Sequence, residues 1–149
     1  MTTIWHPKNS VSLDKINKLN QNTAIGYLDI KITHIGDDFI QGTMPVNQKT
    51  IQPQGLLHGG ASLTLAESLA SLGAALCVDM SKYNIVGHGI NANHVRSATE
   101  GMVTGIANPV YLGGKTQVWE VNIYKSETEF VDETLCCVSR MTALRMARR

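Results

Sequence analysis

The sequence predicts an α+β domain in which a curved antiparallel sheet wraps one long central helix, and three observations carry that expectation. From Gln52 to Val78 the chain reads Q-P-Q-G-L-L-H-G-G-A-S-L-T-L-A-E-S-L-A-S-L-G-A-A-L-C-V, with Glu67 the only charge, which suits a helix buried on nearly all sides. Two strand-like runs precede this stretch and four follow it, joined by connections short enough for hairpins. Within Thr116 to Lys125, Gln117, Trp119, Val121 and Ile123 alternate with Thr116, Glu120 and Asn122, the period-2 signature of a strand with two unlike faces.

In chain order, Ser12 can cap a short amphipathic helix over about 12–20, with Leu13, Ile16 and Leu19 on one side. Tyr27 to Ile35 and Phe39 to Val46 read as strands joined by the tight turn Gly36-Asp37-Asp38. Asn47 to Leu57, with Pro53 and Gly55, is a loop delivering the chain to the central helix, and the polar stretch Met80 to Asn84 ends the helical pattern. Four strands follow, at Ile85 to Ser97, Gly101 to Leu112, Thr116 to Lys125 and Phe130 to Leu144. Their short connections at 98–100, 113–115 and 126–129 predict an antiparallel meander, and Pro109 inside the second predicts a bulge or an edge position. No repeat, linker or low-complexity segment interrupts residues 1–149, so a single domain is expected. A sheet covering one helix leaves an outer face and two edges, so oligomerisation is expected as well.

Composition narrows the function classes. A chain of 149 residues, 43% hydrophobic, builds one proper core. With 13 basic and 12 acidic residues the net charge is +1, and the sequence carries no nucleic-acid or membrane-surface signature; the closing R-M-A-R-R reads as a solvated terminus. Glu67 and its neighbouring hydroxyls interrupt the central run as a membrane span. The opening M-T-T-I-W-H-P-K-N-S lacks the pattern of a secretory signal. Three cysteines, Cys77, Cys136 and Cys137, argue against a disulfide framework and suit a reducing cytoplasm.

The chemistry concentrates on the central helix. Thr64, Glu67, Ser68 and Ser71 fall at i, i+3, i+4 and i+7 and share one stripe. A carboxylate in an apolar setting costs several kcal/mol unless something solvates it, which points to a function for Glu67. At the helix start, Gly55, Gly59 and Gly60 allow close approach of another group, and the first N–H groups of a helix suit an oxyanion or a polarised carbonyl. Donors at the tip with a carboxylate about two turns further in form an arrangement for attacking a carbonyl. Each residue also has a plainer reading. Glu67 can cap a neighbouring backbone or pair in an interface, and His58 can be a turn residue bonded to backbone. His94 can be a strand histidine on a wet face, while Ser68 and Ser71 can bond their own helix carbonyls.

Other motifs fail on context. Gly55 to Gly60 has the glycine spacing of a phosphate loop, but Ala61 stands where its lysine belongs. Gly87-His-Gly89-Ile-Asn-Ala92 copies a dinucleotide fingerprint at a strand with no helix after it. There is no G-x-S-x-G elbow, and His6, His34, His58, His88 and His94 lack the spacing of metal ligands.

The run Q-P-Q-G-L-L-H-G-G-A-S-L-T-L-A-E-S, with I-N-A-N-H-V-R-S-A at 90–98, resembles the hotdog-fold acyl-CoA thioesterases. Within these it is most similar to the group of the 1,4-dihydroxy-2-naphthoyl-CoA thioesterases and their phenylacetyl-CoA-type and 4-hydroxybenzoyl-CoA-type relatives. The likeness extends from about residue 12 to the last strand through Y-L-G-G-K-T-Q-V-W and L-C-C-V-S-R-M-T, and His-Gly-Gly followed after six residues by Glu is its most specific element. The resemblance implies a homotetramer built as a dimer of dimers, with each active site assembled between two chains and no cofactor or metal. It makes Glu67 the catalytic carboxylate, as nucleophile or as general base for water, and the Gly59 N–H the group that polarises the thioester carbonyl. Gln52 and His58 would position the acyl group and water, and Ser71 would support the water or the carboxylate. His94 and Arg96 lie on the strand where pantetheine and nucleotide pass, and Gly60, Thr64, Ser68 and His88 complete the expected substrate contacts. V-G-H-G-I-N at 86–91 departs from the family, which has Leu-Glu in place of His88-Gly89, and this leaves the acyl-pocket or interface contacts there open.

Three functions follow from such a fold. The expected one is hydrolysis of an acyl- or aroyl-CoA thioester. A non-catalytic acyl-CoA sensor is the alternative, but such regulators carry a DNA-binding segment that some twenty N-terminal residues do not supply. A hydratase or dehydratase would require an acid and histidine pair whose pattern is absent.

Overall fold

The computed structural model describes residues 2–149. Helix α1 (Leu13–Asn20) begins as expected at Ser12, whose side chain accepts from the Lys15 N–H. The strand expected from Tyr27 starts later. Thr23 caps a one-turn helix α2 (Ala24–Tyr27), Asp29 takes the left-handed conformation at φ 56°, and only then does β1 (Lys31–Ile35) run. The strand-forming side chains before Asp29 are thus overruled by a local cap and a reversal of the chain. Strand β2 (Ile40–Pro45) follows the predicted tight turn.

The central helix α3 (Gly59–Leu76) leads to β3 (Tyr83–His94), β4 (Met102–Leu112), β5 (Thr116–Tyr124) and β6 (Leu135–Ala147). All pairings are antiparallel, in the order β1-β2-β4-β5-β6-β3. The six strands and one long helix form a hotdog fold.

The meander expectation requires correction: β4, β5 and β6 follow one another in space, but β3 pairs with β6 at the far edge, Tyr83 opposite Ala147 and His94 opposite Cys137. Residues 95–101 are therefore a crossover and not a hairpin. They pass the start of α3, where the Ala98 carbonyl accepts from Leu57 N–H and the Gly101 carbonyl from Val46 N–H. A short connection signals only that the chain turns; the helix lying across the sheet decides which edge the next strand joins. The β5–β6 connection is also longer than expected, with a 3₁₀ turn at Asp132–Thr134 before β6. Pro109 does sit at a bulge, where the β4–β5 register shifts between Pro109 and Tyr111.

One side of α3 is sealed against the sheet. Leu65, Ala66, Leu69, Ala70 and Ala74 are fully buried, each leucine contributing about 2 kcal/mol of apolar transfer. Trp119 of β5 packs against Gly73 of α3 on one side and stacks on Trp5 at 6.4 Å on the other. The segment before α1, to which the sequence assigned no role, is thus part of the core. It also closes the end of α3: His6 N–H and the Asn9 side-chain amide donate to the Leu76 carbonyl. Beside them the Asp79 carboxyl is held down at about 2, first by the Ser81 hydroxyl and then by Lys8. Among the described residues no helix is long and apolar enough to cross a membrane.

Candidate active site

The opposite side of α3 stays open. Glu67 is exposed in a single chain, which corrects the expectation of a helix buried on nearly all sides. The wrapped sheet stops short of closing, and its β3 edge and the α1, α2 and β1 elements flank an uncovered stripe. Along that stripe a cleft of about 360 Å³ is lined by Glu67, Ser68 and Ser71 with Ile16, Ile25 and Leu72. The Glu67 carboxylate has no hydrogen-bond or ion-pair partner among the described residues. The Ser71 hydroxyl lies 3.8 Å from Met141 Sδ, whereas the Ser68 hydroxyl donates to the Thr64 carbonyl at 2.6 Å, the plainer reading for that serine.

The start of α3 forms a second cleft of about 330 Å³, lined by Gln52, Leu57, Gly59, Ser62, His94 and Arg96. His58 is the N-cap residue, and its Nδ1 accepts the Gly60 N–H at 2.8 Å. An accepting Nδ1 carries no proton, so the neutral ring has its proton on Nε2 as a spare donor. With Gly60 occupied by His58, the Gly59 N–H is the tip donor that finds no acceptor among the described residues. A methyl group on Gly59 would lie 2.8 Å from His94 Nε2, so the close seat of the imidazole against the tip requires glycine there.

Arg96 is partly committed: its Nη1 donates to the Asp132 carbonyl at 2.7 Å and the Leu135 carbonyl at 3.0 Å, tying the 3₁₀ turn to the exit of β3. Cys136 also lines this cleft but offers no nucleophile. Burial pushes its thiol up to about 11, and the sulfur sits against the Ile123 carbonyl.

The sequence-predicted residues thus separate into two groups. Gln52, Gly59, His94 and Arg96 meet at the tip, and Glu67, Ser68 and Ser71 line the stripe. His58 and Gly60 bond each other, Thr64 donates to the Gly60 carbonyl, and His88 lies exposed at a bulge in β3; none of these four lines either of the two clefts. The apolar walls Ile16, Ile25 and Ile32 carry no chemical signature in a sequence. Gly87, which backs onto Glu67, was missed although a glycine inside a strand marks close approach. Among the described residues no cluster of His, Cys, Asp or Glu can hold a metal.

The sheet order and the helix it wraps define the architecture, and the chain belongs to the thioesterase superfamily, whose family model matches residues 54–132. It is 46% identical over 139 residues to the 1,4-dihydroxy-2-naphthoyl-CoA hydrolase of Escherichia coli, covering 93% of this chain and 96% of that one. The proofreading thioesterase EntH of Cronobacter turicensis is 39% identical over 93% of this chain and 96% of its own. Among solved structures, a thioesterase of Haemophilus influenzae superposes with a TM-score of 0.87 at 41% identity, covering 97% of this chain and 96% of that one. A Pseudomonas aeruginosa thioesterase reaches 0.90 at 35%, covering 98% and 100%.

Proposed function

We propose that the protein hydrolyses acyl- or aroyl-CoA thioesters to the free acid and CoA, in sites that two chains build together. The observation that carries this reading is the separation of the two reactive groups. Gly59 and Glu67 lie eight residues apart on one helix, about 12 Å at 1.5 Å per residue, whereas an attacking oxygen and the donor to the carbonyl it attacks must both lie within about 3 Å of the same carbonyl group. Within one chain they line separate clefts. A two-fold axis crossing α3 near Leu63, midway between them, sets each tip opposite the partner's Glu67. The free edge of β3, where Val86 is 45% exposed, gives such a partner a strand to join.

In such a site the thioester oxygen accepts from the Gly59 N–H. Glu67 then acts in one of two ways. As general base it takes a proton from water, the hydroxyl adds to the carbonyl carbon, and the C–S bond breaks with that proton returning to the sulfur. As nucleophile it displaces the thiolate to form an anhydride that water opens. Neither route needs a metal or an organic cofactor. Gln52 and the His58 Nε2–H orient the carbonyl and water, and Ser71 supports the carboxylate or water. The acyl group enters the cleft walled by Ile16, Ile25, Ile32 and Leu72, with Ser68 at its side. Pantetheine leaves past His94, and the uncommitted N–H groups of Arg96 meet phosphate. Thr64 and His88 enter as parts of the subunit interface, and the assembly is a dimer of dimers. Three free cysteines suit a reducing cytoplasm.

Release of free thiol from naphthoyl-, hydroxybenzoyl- and medium-chain acyl-CoA tests the proposal. Turnover of at least one class is expected, with kcat/KM ranking the acyl groups. CoA binding without release from any of the three would leave a binding module in its place.

A further inference from the structure

Gly87 lies in β3 opposite Ala143 of β6, at a bulge that lifts His88 out of register before Gly89 pairs with Thr142. Its φ is not in the left-handed region, nor is that of Gly89, so the backbone demands glycine at neither place. Their surroundings differ sharply. A methyl group on Gly87 would overlap the Glu67 carboxylate oxygen Oε1, with Glu67 Cδ at 3.5 Å and Met141 Cε at 3.6 Å in ordinary contact, whereas one on Gly89 meets nothing within 4 Å. Within the chain, the carboxylate is the one group that a side chain at 87 would strike. A carboxylate without any hydrogen-bond partner is otherwise free to choose among rotamers, and the bare backbone of β3 admits the one it occupies.

We propose that Gly87 is a positioning residue for Glu67: its missing side chain lets the carboxylate lie back against β3, in the orientation from which it meets the thioester. This rests on the catalytic reading of Glu67. The group displaced by an added methyl is the far end of a flexible side chain, so the fold survives while the carboxylate swings away. A misplacement of about 1 Å can cost roughly 10²-fold in rate.

The experiment compares Gly87→Ala, Gly89→Ala, Glu67→Gln and the double variant Gly87→Ala/Glu67→Gln, reading Tm, KM and kcat on a CoA thioester. Gly87→Ala is expected to lower kcat at least tenfold with KM within about threefold, Gly89→Ala to match the wild type, and the double variant to be no slower than Glu67→Gln, since residues acting as one unit are not additive. Should Gly87→Ala lose its fold, restoration of Tm in Gly87→Ala/Glu67→Ala reports the same contact. The proposal is overturned if Glu67→Gln is inactive while Gly87→Ala equals Gly89→Ala, or if Gly87→Ala slows the Glu67→Gln enzyme by its full factor. A fully active Glu67→Gln enzyme removes the reading underneath it.

Discussion

Glu67→Gln is expected to lower kcat/KM for a CoA thioester by at least about 10²-fold, with a further loss if the carboxylate is the nucleophile. The amide keeps the size and shape of the side chain but neither takes a proton from water nor attacks a carbonyl. Because Glu67 is exposed in the chain and bonded to nothing among the described residues, the substitution breaks no structural contact, and Tm is expected to stay near that of the wild type. A loss of rate with retained Tm separates chemistry from the plainer reading, in which Glu67 caps or pairs and its loss is felt in stability. Single-turnover analysis distinguishes the two chemical roles: an acyl-enzyme burst belongs only to the nucleophile.

The second large effect is expected at the tip of α3. Gly59 is the first residue of the helix, where proline is well tolerated because the N–H it lacks has no helical partner, and His58 before it has the extended backbone (φ −68°, ψ 130°) that a following proline favours. Gly59→Pro therefore deletes the proposed oxyanion donor while leaving a helix start intact. The added carbon atoms push on His94, and Gly59→Ala, which keeps the N–H, applies the same Cβ to that ring. The difference between the two variants isolates the donor. Proline is expected to be slower than alanine by about 10² to 10³-fold in kcat, the range for losing one oxyanion-hole donor. Equal rates would remove the Gly59 N–H from the mechanism.

The central helix was legible because its signals are local. Glu67 stands out as the one charge in an apolar run, and the glycines after His58 mark the helix start, although that His58 itself caps the helix shows only in the structure. Trp119 and its neighbours alternate in burial along β5 as their sequence pattern implies. What escaped was long-range. Nothing in residues 95–101 records that β3 lies beside β6, because that placement follows from the helix crossing the sheet. The core position of Trp5 depends on a surface supplied by Trp119, more than a hundred residues away. In the site, apolar walls such as Ile16 and Ile32 look like any core residue until the cleft is seen. The split between tip and stripe follows from the helix itself: eight residues of α-helix set Gly59 and Glu67 about 12 Å apart along its axis.

Co-expression of Glu67→Gln chains with Gly59→Pro chains tests that division of labour most directly. Each parent assembled alone lacks one half of every site. In a mixed dimer the intact tip of the first chain faces the intact Glu67 of the second, so random pairing is expected to recover about a quarter of wild-type activity, one working site of two in half of the dimers. If the mixture stays as inactive as its parents although mixed dimers form, both groups do not serve one thioester across the interface, and the two-chain site is contradicted.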